Sequence, residues 1–274
     1  MPETAPNSPP TPALEPTRTL VPHEHGAYGQ LAMPLLTALA LGRPGAAALL
    51  LTYAIVVAFV AHESLLVVLG QRGKRALDAD APRARRVLAI LGTQAVLTGV
   101  AGFAFAPAAA RAALALPVVL AAAVAWLVAR RQEKTLAGEI TVGAALSSGG
   151  LAVALAAHAP LSWAVGGWVT WVLSFAAATL AVQVVLVRAR SKGARDPGSA
   201  HALASAALVA LAFAAVPLSG LPIAAPLALL PTSALSIAVC LGRFPPKRLR
   251  ELGWAMVAAS VATMAILVIG LRFM

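Results

Sequence analysis

The sequence predicts an all-α protein, a polytopic bundle of about nine transmembrane helices, and three observations carry that prediction. Hydrophobic residues make up 60% of the chain and charged residues only 11%, against roughly 25% charged in a soluble domain. A chain so poor in charge cannot cover its surface with polar groups, so its solvent is lipid. The apolar residues also come in runs long enough to cross a bilayer: a span needs about 20 residues, and 274 residues hold roughly nine spans with short loops. Third, Lys and Arg gather in short blocks between the runs rather than along one face.

Taken in order, the runs are 25–42, 46–69, 87–106, 112–129, 138–158, 162–187, 200–218, 221–241 and 252–272. Chain breakers fall between them. Gly42-Arg43-Pro44-Gly45 parts the first two, Ser219-Gly220-Leu221-Pro222 parts the seventh and eighth, and Pro245-Pro246 precedes the ninth. Each run is expected to be helical, because lipid cannot satisfy backbone polar groups and no barrel-type alternation is present. Residues 200–241 read as two spans, since one helix of that length would be about 60 Å long, twice the hydrocarbon core. Residues 1–22, with seven prolines, read as a disordered cytoplasmic tail, and 23–274 as the transmembrane domain. No apolar segment with a cleavage site follows a basic start, so the first span is expected to serve as the targeting signal.

Orientation follows from the basic residues. Arg18, the block from Arg72 to Arg86, Arg130, Arg131, Lys134, the block from Arg188 to Arg195 and the block from Arg243 to Arg250 all fall on one side. Only Arg43, Arg111 and Arg272 fall on the other, a ratio of 18 to three. The positive-inside rule then puts the N-terminus in the cytoplasm and the C-terminus outside, in a multi-pass protein of the plasma (inner) membrane. The net charge of +11 is accounted for by this topology, and nucleic acid is not an expected partner. Trp163, Trp168 and Trp171 are expected to form an outer aromatic belt, with Trp126 and Trp254 at the inner interface. The single cysteine, Cys240, can form no intrachain disulfide.

Four polar features stand out against this background. His23-Glu24-His25 lies at the entry to the first span: Glu24 favours the helix macrodipole there, while the two histidines are candidate ligands or proton carriers. His62-Glu63 falls inside the second span, with Glu63 roughly 10 Å from the helix end. A carboxylate at that depth costs several kcal/mol unless it meets a partner or a polar cavity; these two are the candidate catalytic residues, and Glu63 the candidate metal ligand. The loop Gly70-Gln71-Arg72-Gly73-Lys74-Arg75 serves topology, and also offers Arg forks and glycine amides to an anion. At the cytoplasmic end of the sixth span, Gln183 is expected to line the same cavity as Glu63. Arg188, Arg190 and Lys192 lie beyond it, and Glu133 and Glu139 are near. Candidate substrate-binding residues are therefore His23, Glu24, His25, Gln71, Arg72, Lys74, Arg75, Gln183, Arg188, Arg190 and Lys192.

His23-Glu24-His25-Gly26-Ala27-Tyr28, then Pro34, His62-Glu63 and Gly70 to Arg75, resembles the YwiC-like family of bacterial membrane proteins, with His23 in place of the family's usual Lys and Tyr28 where Trp is common. The topology also looks like the UbiA superfamily of intramembrane prenyltransferases, which have nine helices and polar motifs at the cytoplasmic ends of the second and sixth. In that superfamily, Asp-rich motifs there hold Mg²⁺ and a prenyl diphosphate, which is what the resemblance implies for cofactor and substrate. Here only Glu63 and Gln183 stand at those places, and Asp78 and Asp80 are expected to be solvated in the following loop.

Three functions remain open on these residues. The first is a UbiA-like transferase or binder of an isoprenoid (di)phosphate or other anionic lipid, its apolar tail in the bundle and its head at the basic rim. Glu63 would repel that head unless protonated, bridged by a metal or paired with His62 or Arg. The second is a transporter using Glu63 and His62 as a proton relay. The third is a non-catalytic scaffold whose basic loops meet anionic lipid or a soluble partner.

Overall fold

The computed structural model describes residues 19–22, 25–190, 196–242, 244–245 and 248–273, without the side chain of His25. They form ten helical segments: α1 His25–Leu41, α2 Ala46–Val68, α3 Lys74–Phe105, α4 Ala108–Ala113, α5 Ala115–Ala129, α6 Leu136–Ala156, α7 Leu161–Arg190, α8 Gly198–Ser219, α9 Ala224–Leu241 and α10 Leu249–Phe273. The described residues contain no strand. Eight units, counting α4 and α5 as the single stretch Ala108–Ala129, are long and apolar enough to cross a membrane, and α1 is a shorter apolar helix. Nine helical units therefore stand among the described residues where nine runs were read, eight of them long enough to span, and 200–241 is divided at Gly220, whose φ of +65° turns the chain.

The largest departure is α3. It begins at Lys74, not near residue 87, and its 32 residues span about 48 Å, well beyond the hydrocarbon core. Residues 74–86 are Ala- and Arg-rich, so helix formation there meets no obstacle except Pro82, which lies within the helix without ending it. Asp78 and Asp80 are helical as a result, and Asp80 is buried with Ala81 and Ala84 rather than solvated in a loop.

The bundle has an inner set and a rim. α6, α7 and α9 carry long series of buried residues, whereas α3 and α8 bury only a few and α5 none. Close packing inside is made by small residues. A side chain at Gly149 would press on Ile55 of α2, and one at Gly150 on the Pro34 carbonyl of α1. In lipid there is no hydrophobic force between helices, so such approach and interhelical hydrogen bonds hold them together. Trp171 Nε1 donates to Thr37 Oγ1 at 3.1 Å, and Ser236 Oγ donates to the Ala177 carbonyl at 2.6 Å.

Trp171 is only 1% exposed and stacks on Phe175, so it is a core residue and not part of an aromatic belt. Its hydrogen bond to Thr37 sets it against α1. Trp126 and Trp254 are exposed, and the Arg130 guanidinium lies 4.5 Å from the Trp126 ring centre.

Candidate functional site

The ladder of α2 ends in a glycine cap. Gln71 donates its amide to the Leu66 carbonyl and Gly70 to that of Val67, with Gly70 at φ +70°, the arrangement in which a left-handed residue satisfies the last carbonyls of a helix. Gly73 then donates to the Gly70 carbonyl at 3.0 Å and, at φ +93°, starts α3. Both glycines occupy conformations that an L side chain resists. The tight reversal they make returns the Arg72 side chain onto the helix just left. Arg72 Nε donates to Glu63 Oε1 at 2.9 Å and Nη2 to Oε2 at 2.5 Å.

This parallel pair of charge-assisted bonds is the geometry in which guanidinium and carboxylate fit best. The Glu63 side chain is completely buried, and that of Arg72 is 30% exposed. Of the ways Glu63 could be tolerated at its depth, the structure uses an arginine partner. One residue earlier, His62 is exposed: successive helical residues point about 100° apart, so burial of Glu63 turns His62 outward. The expectation of a buried His62–Glu63 pair is corrected in that respect.

Phe59, Glu63 and Val67 follow one another at four-residue spacing and share a face of α2. Tyr28 meets Phe59 edge to face, 5.1 Å between ring centres, and its hydroxyl donates to the Pro22 carbonyl at 3.0 Å. Leu20 packs in one cluster with Val67 and Ala84. The last residues of the proline-rich tail thus rest on the same end of α2 as the ion pair. His23, Glu24 and the His25 side chain lie outside the described residues. Gln71, Lys74 and Arg75 are exposed around the turn.

A second polar station is built on α6 and α7. Thr135 caps α6 by accepting from the Gly138 amide at 3.1 Å, and Glu139 occupies the first turn, where a negative charge suits the helix dipole. Gln183 Nε2 donates to Glu139 Oε2 at 2.9 Å. Glu133 Oε2 is buried with no hydrogen-bond partner among the described residues. Gln183 therefore takes Glu139 as its partner and makes no bond to Glu63. α2 packs on α1, α3 and α6, whereas α7 packs on α1, α6, α8, α9 and α10. Glu63 and Gln183 thus have different partners, on two helices that both pack on α1 and α6.

Arg188 has a different use from the one its position suggested. Its Nε and Nη2 donate to the Asp196 carboxylate at 3.0 and 2.8 Å, Nη2 also to the Cys240 carbonyl at 2.7 Å, and Nη1 to the carbonyls of Gly242 and Val239 at 2.5 and 3.4 Å. All five guanidinium hydrogens are used within the protein. Asp196 in turn accepts the Gly198 amide at 2.9 Å, starting α8. Arg188 closes the end of α9 and ties it to α7 and α8. Sequence reasoning missed this clamp because the carbonyls it serves lie more than 50 residues away; the Asp196-Pro197-Gly198 turn was the available signal. Arg190 is exposed, and Lys192 lies outside the described residues.

Among the described residues no group of three or more His, Cys, Asp or Glu side chains comes together. At Glu63 the carboxylate is engaged on both oxygens by Arg72, a cation already in place. The Mg²⁺ implied by the prenyltransferase resemblance does not fit this donor set.

Residues 21–154 match the family described as YwiC-like protein, a stretch running from the tail segment through most of α6 and containing both Glu63 and the glycine turn. No curated protein and no solved structure matches the chain.

Proposed function

We propose that this YwiC-like integral membrane protein binds an anionic amphipathic lipid, such as an isoprenoid phosphate, at the end of α2, with Arg72 as the group that receives the head. The observation that carries the reading is the Arg72–Glu63 pair: a fully buried carboxylate holding a partly exposed guanidinium by two bonds at the membrane interface. A carboxylate and a phosphate present the same spacing of oxygens to an arginine fork. Glu63 keeps Arg72 folded back and oriented, and a phosphate arriving from the basic, cytoplasmic side competes for the fork. Exposed Gln71, Lys74 and Arg75 supply the remaining donors, and the apolar tail lies against the bundle.

Transfer chemistry, the finer form of this reading, would need a group to stabilise a departing diphosphate. Among the described residues no acidic cluster is gathered for Mg²⁺, and Arg72, Lys74 and Arg75 are the groups that would take that role. The test is binding of isoprenoid phosphates to purified native protein, Glu63→Gln and Arg72→Ala, with folding checked by thermal unfolding. Loss of affinity in Arg72→Ala and a change in Glu63→Gln support the reading, and unchanged affinity in both ends it.

The burial of Glu63 within a span also suits proton-coupled transport. That alternative predicts substrate-dependent proton movement in proteoliposomes that Glu63→Gln abolishes, with no phosphate-lipid affinity.

A further inference from the structure

A small cavity between α1, α6 and α7 has no part in the site above. It measures about 10 Å³, and Pro34 and Thr37 of α1, Ser147 and Gly150 of α6, and Gly167 and Trp168 of α7 are among its walls. Trp168 Nε1 is shut off from solvent and has no hydrogen-bond partner among the described residues. Ser147 is fully buried and donates its hydroxyl hydrogen to the Ala144 carbonyl of its own helix at 3.1 Å. Thr37, also buried, donates to the Met33 carbonyl at 2.8 Å and accepts from Trp171 Nε1 at 3.1 Å. A hydroxyl oxygen has two lone pairs, so two remain on Ser147 and one on Thr37. The walls thus offer one N–H donor and two oxygens whose hydrogens are already committed.

We infer that this cavity is a binding site for a single water molecule, which accepts from Trp168 Nε1 and donates to Ser147 Oγ and Thr37 Oγ1. The volume is close to the least that holds one water, and buried waters typically make about three hydrogen bonds. No wall residue carries a charge to hold an ion. A hydrocarbon segment is too large, and it leaves the buried indole hydrogen unmet. Water has both the size and the complementary set of bonds. Pro34 gives no amide hydrogen to the Gln30 carbonyl, so α1 is one rung short beside the cavity. Ordered water is among the groups that make good such losses within a membrane. The bound water joins α1, α6 and α7 at one point and adds to the direct bond between Trp171 and Thr37.

The test uses the full chain in lipid nanodiscs, with isotope-labelled tryptophan and nuclear magnetic resonance of the indole N–H groups. The Trp168 signal is identified by its disappearance in Trp168→Phe. A cross-peak between water and the Trp168 indole hydrogen is expected in the native protein. Ser147→Val puts methyl groups into the cavity and is expected to reduce that cross-peak several-fold. Ser147→Ala takes away an acceptor without adding bulk and is expected to weaken it, and it decides the question if the valine variant does not fold. Two results would overturn the inference: no water cross-peak at Trp168 in the native protein, or a native cross-peak that the folded Ser147 variants leave unchanged.

Discussion

Arg72 and Arg188 both stand at the basic end of the bundle, Arg72 in the turn after α2 and Arg188 in the last turn of α7. Arg188 distributes its bonds over Asp196 and three carbonyls at the end of α9, so it joins three helices and no hydrogen is left for a ligand. Arg72 directs one edge of its fork at the buried Glu63 carboxylate and keeps 30% of its side chain exposed. The same residue type at the same end of the bundle closes a helix ladder in one place and holds a buried carboxylate in the other. What separates the two is the kind of acceptor: the buried Glu63 carboxylate for Arg72, and three backbone carbonyls beside Asp196 for Arg188.

Substitutions can break that contrast, and the largest effect is expected at Arg72. Arg72→Ala removes the fork from a carboxylate with no exposure and should cost about 3–5 kcal/mol. Read by thermal unfolding in detergent, the cost should shrink when Glu63→Gln is added, because the two side chains act as one unit. Arg188→Ala should cost about 2–3 kcal/mol, the range for leaving charge-assisted bonds unmade. Adding Asp196→Asn should recover little of it, since three of the five bonds go to carbonyls. Gly70→Ala forces an L side chain into the left-handed turn, at about 1–2 kcal/mol, and should weaken the Arg72–Glu63 pair without touching either residue. Ser236→Ala removes two interhelical bonds, to the Ala177 carbonyl and the Ser205 hydroxyl, and should cost about 1 kcal/mol, at the ~0.6 kcal/mol typical of each in a membrane bundle.

The span pattern was legible because hydrophobic length and the breakers at Gly42–Gly45, Gly220 and Pro245 act locally along the chain. The start of α3 was not, since charge was taken as a loop signal although Lys74, Arg75 and Arg83 are good helix formers on a helix that outgrows the membrane. Glu63 was identified by depth alone, and the turn Gly70–Gly73 was seen to carry Arg72. The pairing of the two needed φ angles that only the folded chain supplies. His62 was misjudged because neighbours in sequence point to different sides of a helix, and Trp171 because interfacial and core tryptophan look alike without knowing which face meets α1. Arg188 was read as part of an anion ring, since nothing in a linear sequence reveals that Val239, Cys240 and Gly242 bring their carbonyls to it.

The central claim is that Arg72 receives a ligand and Arg188 holds the fold. The most direct test replaces each fork by a charge without one, measuring the affinity of purified Arg72→Lys and Arg188→Lys for a long-chain isoprenoid phosphate alongside the native chain, corrected for the folded fraction. The account predicts that Arg72→Lys binds roughly tenfold or more weakly, since Lys offers a point charge in place of two parallel bonds, while Arg188→Lys melts earlier but binds like the native protein. Native affinity in Arg72→Lys, with weakened binding in Arg188→Lys, would contradict it.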